Sequence, residues 1–201
     1  MIVHPAVKRH RIFIIGIAGA ARSGKDMAAD ALAACGYYRI ALADPIKQMI
    51  GGLDKGHLYD REHGRDLWQF GGTEVGREID PELWLKNFYF QLTMMHLKKG
   101  VSRFVISDIR FPNEARAIRE DWGGAVIKVW RPGSPRIEQS SHASESQVDE
   151  LPYDMEIANT EFRLDENLID RHLFNEQVFA VARKLEEEWK ARPVICLPES
   201  E

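Results

Sequence analysis

Residues 12–18 (IFIIGIA) form an unbroken apolar, β-branched run, which predicts a strand buried on both faces. Beyond a glycine-containing turn, Met27 to Ala34 are alanine-rich and stop at Gly36, the composition and end signal of a helix. Tyr38 to Ala43 predict a second short strand, and Asp44-Pro45 put a cap and a first-turn proline ahead of a helix over IKQMIGGL. Residues 55–80 are polar and glycine-rich, with weak periodicity apart from DLWQF; an insertion that long is more often functional than idle. From Pro81 to Lys99, Leu83, Trp84, Phe88, Leu92, Met95 and Leu97 approach helical spacing and predict an amphipathic helix, whose aromatics core packing explains without a ligand.

Arg103 to Ser107 (RFVIS) predict a third buried strand with Asp108 at its carboxyl end, followed by a helix from Pro112 to about Asp121. Ala125 to Trp130 predict a fourth strand, and Asp154 to Ala158 a short fifth. Residues 132–150, rich in Pro, Gly, Ser and charge, read as an exposed loop or lid. A long helix from Asp165 to about Trp189 closes the pattern, and the tail after Lys190 reads as frayed. Strands alternating with helices imply an α/β fold: a central parallel five-stranded sheet in three layers, with right-handed crossovers. The ligand site of such a sheet lies beyond the carboxyl ends of its strands.

Composition narrows the function without naming it. At 201 residues the chain is the size of one domain, and 44% hydrophobic with 29% charged residues is ordinary globular usage. A net charge of −4 supplies no field for a polyanion, which disfavours a non-specific nucleic-acid binder while leaving room for a local basic pocket. Cys35 and Cys196 lack metal-ligand spacing and fit reduced thiols in a cytosolic protein. Lys8, Arg9 and Arg11 before the apolar run imitate a secretory signal, but the run is short and leads straight into a phosphate-binding pattern, so a cytoplasmic chain without a membrane anchor is expected.

That pattern is Gly19-Ala20-Ala21-Arg22-Ser23-Gly24-Lys25-Asp26, a phosphate loop in which Asp26 replaces the usual Ser or Thr. Glycines let the backbone wrap an anion, the following helix presents its positive end, and Lys25 can reach the β- and γ-phosphates. A plain glycine turn would not need a buried strand before it and a helix after it. Asp26 is either a ligand for Mg²⁺ or the acceptor, or a first-turn acid favoured by the helix dipole. Asp108 is either a Walker-B carboxylate holding Mg²⁺ through water or a helix cap; Arg110, two residues on, is either a bidentate phosphate contact or an exposed arginine.

GAARSGKD, ALADPIK, QFGGTEVGR with DPELW, ISDIRFPNEA, and HASE with IAN together resemble the phage and bacterial deoxynucleoside monophosphate kinase family, in the same order and from about residue 12 to 170. The Asp after the loop lysine is that family's own form of the motif. The resemblance implies a P-loop kinase core (12–44, 100–131 and 152–190), a monophosphate-binding region at 44–100 and a lid at 131–150. It implies ATP and Mg²⁺ as cofactors, with Gly19, Ala21, Arg22, Ser23, Gly24, Lys25 and Asp26 on the ATP phosphates, Arg136 and Asn159 near the nucleotide, and Asp26 and Asp108 near the metal. Lys25, Asp26, Arg110 and Arg131 are the expected catalytic set. On the acceptor side it implies Asp44, Lys47, Gly72, Thr73, Glu74, Arg77, Trp84, Arg110, His142, Ser144 and Glu145. The individual roles of Glu74, His142, Ser144 and Glu145 stay open, and Asn159 fits a turn equally well.

The expected reaction is ATP plus deoxynucleoside monophosphate giving ADP and the diphosphate, by a monomer or homodimer acting on small nucleotides in the cytoplasm, or the host cytoplasm for a phage-encoded chain. The competing readings are a phosphomevalonate-type small-molecule kinase, a kinase of modified bases in DNA, which the acidic charge opposes, and a nucleotide-binding switch. No NKxD-like guanine signature accompanies the loop.

Overall fold

Strand β1, Phe13–Ala18, is buried along its whole length and forms the middle of the sheet. The computed structural model describes residues 12–45, 76–132, 150–160 and 168–192. Within them, α1 spans Lys25–Ala34, β2 Tyr38–Ile40, the single turn α2 Gly76–Ile79, and α3 Leu83–Lys99. They are followed by β3 (Arg103–Ile109), α4 (Pro112–Arg116), a π-helical turn (Ala117–Asp121), β4 (Ala125–Trp130), β5 (Met155–Ala158) and α5 (Leu168–Ala191).

The strand order is β2-β3-β1-β4-β5, and every pairing is parallel. Alternate residues of β1 serve opposite faces, as strand geometry requires. Ile14 and Ala18 join Phe104, Ile106, Leu85, Phe88, Leu92 and Ile118 on one side, under α3 and the segment after β3. Phe13, Ile15 and Ile17 join Val105, Ile127, Leu32, Phe174 and Val178 on the other, under α1 and α5. Two apolar layers flank one sheet, the three-layer arrangement of the P-loop kinase fold. Among the described residues no helix is long and apolar enough to cross a membrane.

Several boundaries differ from the expectation, each for a local reason. β3 runs on to Ile109, so Asp108 lies within the strand instead of beyond it. Gly16 pairs with Ile106 but Ala18 with Ile109, so three steps of β3 match two of β1, a bulge at Ser107–Asp108. Bulges re-aim side chains, and the Asp108 carboxylate accepts the backbone N–H of Leu42 at 2.8 Å and of Ala43 at 2.9 Å. Those two N–H groups are thereby withdrawn from the ladder, and β2 ends at Ile40 rather than Ala43. The helix after Pro112 changes from α to π winding at Ala117. Leu83 and Leu97, expected on the core side of α3, are exposed; the core side is Leu85, Phe88, Tyr89, Leu92 and His96. Cys196, the helix expected over IKQMIGGL and most of the lid fall outside the described residues.

Candidate active site

The phosphate loop leaves β1 at Ala18 and enters α1 at Lys25. Gly24, the residue before α1, has φ 105°, and a Cβ there would strike the Asn159 side-chain amide. Gly19 is equally confined, because a Cβ would meet the Val129 carbonyl and the Ser23 hydroxyl. Arg22 adopts a left-handed φ of 63°, a conformation that costs a side-chain-bearing residue about 1–2 kcal/mol. The loop is thus held in a shape its sequence does not favour locally except at the glycines.

The fastenings are identifiable. Lys25 is buried and its Nζ donates to the Ala20 carbonyl at 2.6 Å, across the mouth of the loop. From the far side of the sheet, Asn159, fully buried at the end of β5, donates its Nδ2–H to the Ser23 carbonyl at 2.9 Å. The Asn159 backbone N–H reaches the Trp130 carbonyl at 2.7 Å, tying the ends of β4 and β5 to the same point. No side chain caps α1, and its first helical hydrogen bond is from the Ala28 N–H to the Gly24 carbonyl. The amino end of the helix, with its partial positive charge, therefore opens onto the loop. Two buried polar atoms at this edge, Ser23 Oγ and Arg131 Nε, make no hydrogen bond among the described residues. Both are donors suited to an anionic oxygen.

Asp26 points elsewhere. It is exposed and forms an ion pair with Arg39 of β2, which also grips Asp30 one turn along α1. Asp108 is tied by its carboxylate to the Leu42–Ala43 turn. Among the described residues no three His, Cys, Asp or Glu side chains cluster as a metal cage. Asp26 and Asp108 are nonetheless donors of the hard-oxygen kind that Mg²⁺ takes, and that ion draws much of its shell from water and phosphates.

A second polar centre lies past the end of β3. Glu114 is almost wholly buried and accepts the backbone N–H of Arg110 at 2.8 Å and of Phe111 at 3.0 Å. Arg77 of α2 forms an ion pair with the same carboxylate, its guanidinium 3.7 Å over the Phe111 ring. Burial pushes the Glu114 carboxyl up from its ordinary value, while Arg77 and the backbone N–H of Arg110 pull it down. Glu114 thus holds the Arg77 guanidinium and the backbone of Arg110, far apart in sequence, on one carboxylate. Asn113 adds a hydrogen bond to the Pro81 carbonyl at 3.1 Å, which joins this segment to the start of α3.

Trp84 packs against the core under α3, and Asp44 continues the turn after Ala41 with its N–H on that residue's carbonyl at 3.2 Å. Lys47, Gly72, Thr73, Glu74, Arg136, His142, Ser144 and Glu145 lie outside the described residues. Glu114 and Arg39 were given no role from sequence. Glu114 carried a signal: a glutamate two residues after Pro112 sits at the third helical position, where it reaches back to the N-cap N–H. Arg39 carried none.

No family model matches the chain. A protein of Acanthamoeba polyphaga mimivirus, provisionally named deoxynucleotide monophosphate kinase, is 29% identical over 172 residues, covering 73% of this chain and 88% of its own. The solved structure of dephospho-CoA kinase from Campylobacter jejuni covers 87% of this chain and 98% of its own at 14% identity and a TM-score of 0.44. The chain itself, with a phosphate loop on the central strand of an all-parallel five-stranded sheet and helices on both faces, has the P-loop kinase fold.

Proposed function

We propose that the chain is a deoxynucleoside monophosphate kinase. It is an ATP-dependent phosphotransferase, breaking the bond between the γ-phosphorus and its bridging oxygen in ATP and joining the phosphoryl group to an acceptor phosphate oxygen, with ADP as leaving group. The observation that supports the reading is a phosphate loop together with a separate polar centre at Glu114, which holds the Arg77 guanidinium and the backbone N–H of Arg110. A switch protein needs the first and not the second. The 29% identical viral protein named for deoxynucleotide monophosphates favours the nucleotide acceptor over other small phosphates.

In this reading the loop backbone, Lys25 and the start of α1 hold the donor phosphates, and Ser23 Oγ and Arg131 Nε complete the donor set. Arg77 and Arg110 grip the acceptor phosphate and keep it in line, since phosphoryl transfer is mostly positioning and charge neutralisation. Glu114 fixes the direction of Arg77 and leaves the remaining guanidinium N–H groups for the ligand. Bound Mg²⁺ would supply charge neutralisation on the transferring group, with Asp108 as its candidate carboxylate; Asp26 would have to leave Arg39 to join it. Working on ATP and free nucleotides, the enzyme is cytoplasmic.

The test is ADP release from ATP and Mg²⁺ with a panel of deoxy- and ribonucleoside monophosphates, and with Arg77→Ala and Arg110→Ala. Losing a charge-assisted contact costs about 1.5–3 kcal/mol, roughly ten- to a hundredfold in acceptor affinity, with affinity for a non-hydrolysable ATP analogue unchanged. Equal weakening of both ligands moves the arginines to the donor side. Turnover with other phosphorylated acceptors but no nucleotide overturns the substrate assignment.

A further inference from the structure

We propose that Arg39 is a positioning residue for Asp26: it holds that carboxylate aside until nucleotide and Mg²⁺ bind, and stays paired with Asp30 when Asp26 leaves. The inference rests on the reading of the phosphate loop as the donor site. Asp26 follows Lys25 in the first turn of α1, so in that reading its backbone stands beside the donor phosphates. A carboxylate left bare at that point repels a triphosphate. Asp26 is not left bare. Arg39, in the middle of β2, donates from one Nη to Asp26 and from the other to Asp30, one turn further along α1. A planar guanidinium can bridge two carboxylates in this way, where a lysine ammonium offers only a point charge.

Exposure decides that the bridge can open at one end. The side chains of Asp26 and Asp30 are 80% and 67% exposed, against 31% for Arg39. Ion pairs so open to water hold weakly. Asp26 therefore exchanges its partner readily when a second cation is at hand, and Mg²⁺ is a hard ion that takes carboxylate and phosphate oxygens together. Asp30 eases the exchange, because Arg39 keeps one carboxylate throughout. The bridge carries two negative charges on one guanidinium, so a cation on Asp26 restores the balance at this edge of α1 with no movement of the backbone. Asp108 is fixed by the N–H groups of Leu42 and Ala43. Of the two carboxylates assigned to the metal, Asp26 is the one that can move.

Calorimetric titration of a non-hydrolysable ATP analogue, once in EDTA and once in excess Mg²⁺, tests this on the full chain without turnover. The quantity read is the Mg²⁺ enhancement, the ratio of the two affinities. Arg39→Gln leaves Asp26 unneutralised in EDTA and uncontested in Mg²⁺, so its enhancement should exceed that of the wild type by about two- to fivefold, the scale of an exposed ion pair. Asp30→Asn should act in the opposite sense, because Arg39 then has Asp26 alone to pair with. Arg39→Lys should fall between the wild type and Arg39→Gln. In an Asp26→Asn background, Arg39→Gln should leave the enhancement where it was. An arginine that only braces β2 against α1 would lower the urea midpoint and weaken both titrations alike, with the enhancement unchanged; that result overturns the proposal, as does an Arg39→Gln effect that survives in the Asp26→Asn background. A wild type that binds no analogue overturns the donor-site reading itself, and the proposal with it.

Discussion

At the scale of single residues, the candidate site rests on side chains that bind the protein rather than a ligand. Asn159 is one. Its amide is spent on the Ser23 carbonyl, and Gly24 is glycine because that amide fills the space where a Cβ would be. Asn159→Ala leaves a buried carbonyl without a donor, at a cost of about 1–3 kcal/mol. The variant should unfold at lower urea and bind an ATP analogue more weakly, since the loop loses its tether; unchanged urea midpoint and affinity would make the bond incidental. The loop itself was legible in the sequence, because glycines and a lysine between a buried strand and a helix specify backbone shape locally. The Arg77–Glu114 pair spans 37 positions and owes its existence to tertiary packing, so only the reach of Glu114 back to its own helix start could be read in advance.

Between elements, the contact of the β2 segment with α5 shows how a helix is locked to the sheet. The Tyr37 hydroxyl donates to Glu186 at 2.8 Å, and Lys190 pairs with the same carboxylate at 2.8 Å from the next turn. Burial alone would raise the Glu186 pKa, but the hydrogen bonds of Lys190 and Tyr37 outweigh it and hold the carboxyl below its ordinary 4.5. The unfolded chain then takes up protons before the folded one does, so this stabilisation is present above pH 4.5 and fades as acid reaches the lowered folded value. Glu186→Gln keeps an acceptor for Tyr37 without the charge. Its stability deficit, read from urea unfolding at a series of pH values, should be largest near neutrality and shrink below pH 4.5; a deficit constant with pH would deny the ionic part. The elements themselves were read well where hydrophobic period alone decides, as in β1 and β4. The bulge in β3 was not, because nothing in RFVISDI distinguishes a ladder with an extra residue from a straight one. Nor were the two faces of α3, since Leu83 and Leu97 look like core residues until the burial of Leu85 and Phe88 orients the helix.

For the whole molecule, the order β2-β3-β1-β4-β5 has a consequence for the birth of the chain. The first strand to be synthesised is the one in the middle, and its neighbours are residues 103–109 and 125–130. Until residues 103–109 are made the six buried residues of β1 have nothing to pair with, and until residue 159 the glycines of the phosphate loop have no Asn159 to close on. Folding that waits for such distant pairings is slow, and an unpaired apolar strand is prone to aggregate while it waits. A fragment of residues 1–100 should therefore show no cooperative urea transition and should aggregate in refolding, while a fragment ending at Arg192 should fold; cooperative unfolding of the short fragment would show that β1 finds support without the sheet. Fastening of the phosphate loop thus waits for the strand ending at Ala158 and for Asn159 beyond it, made long after the loop itself. The phosphate loop is made early in synthesis and fastened late.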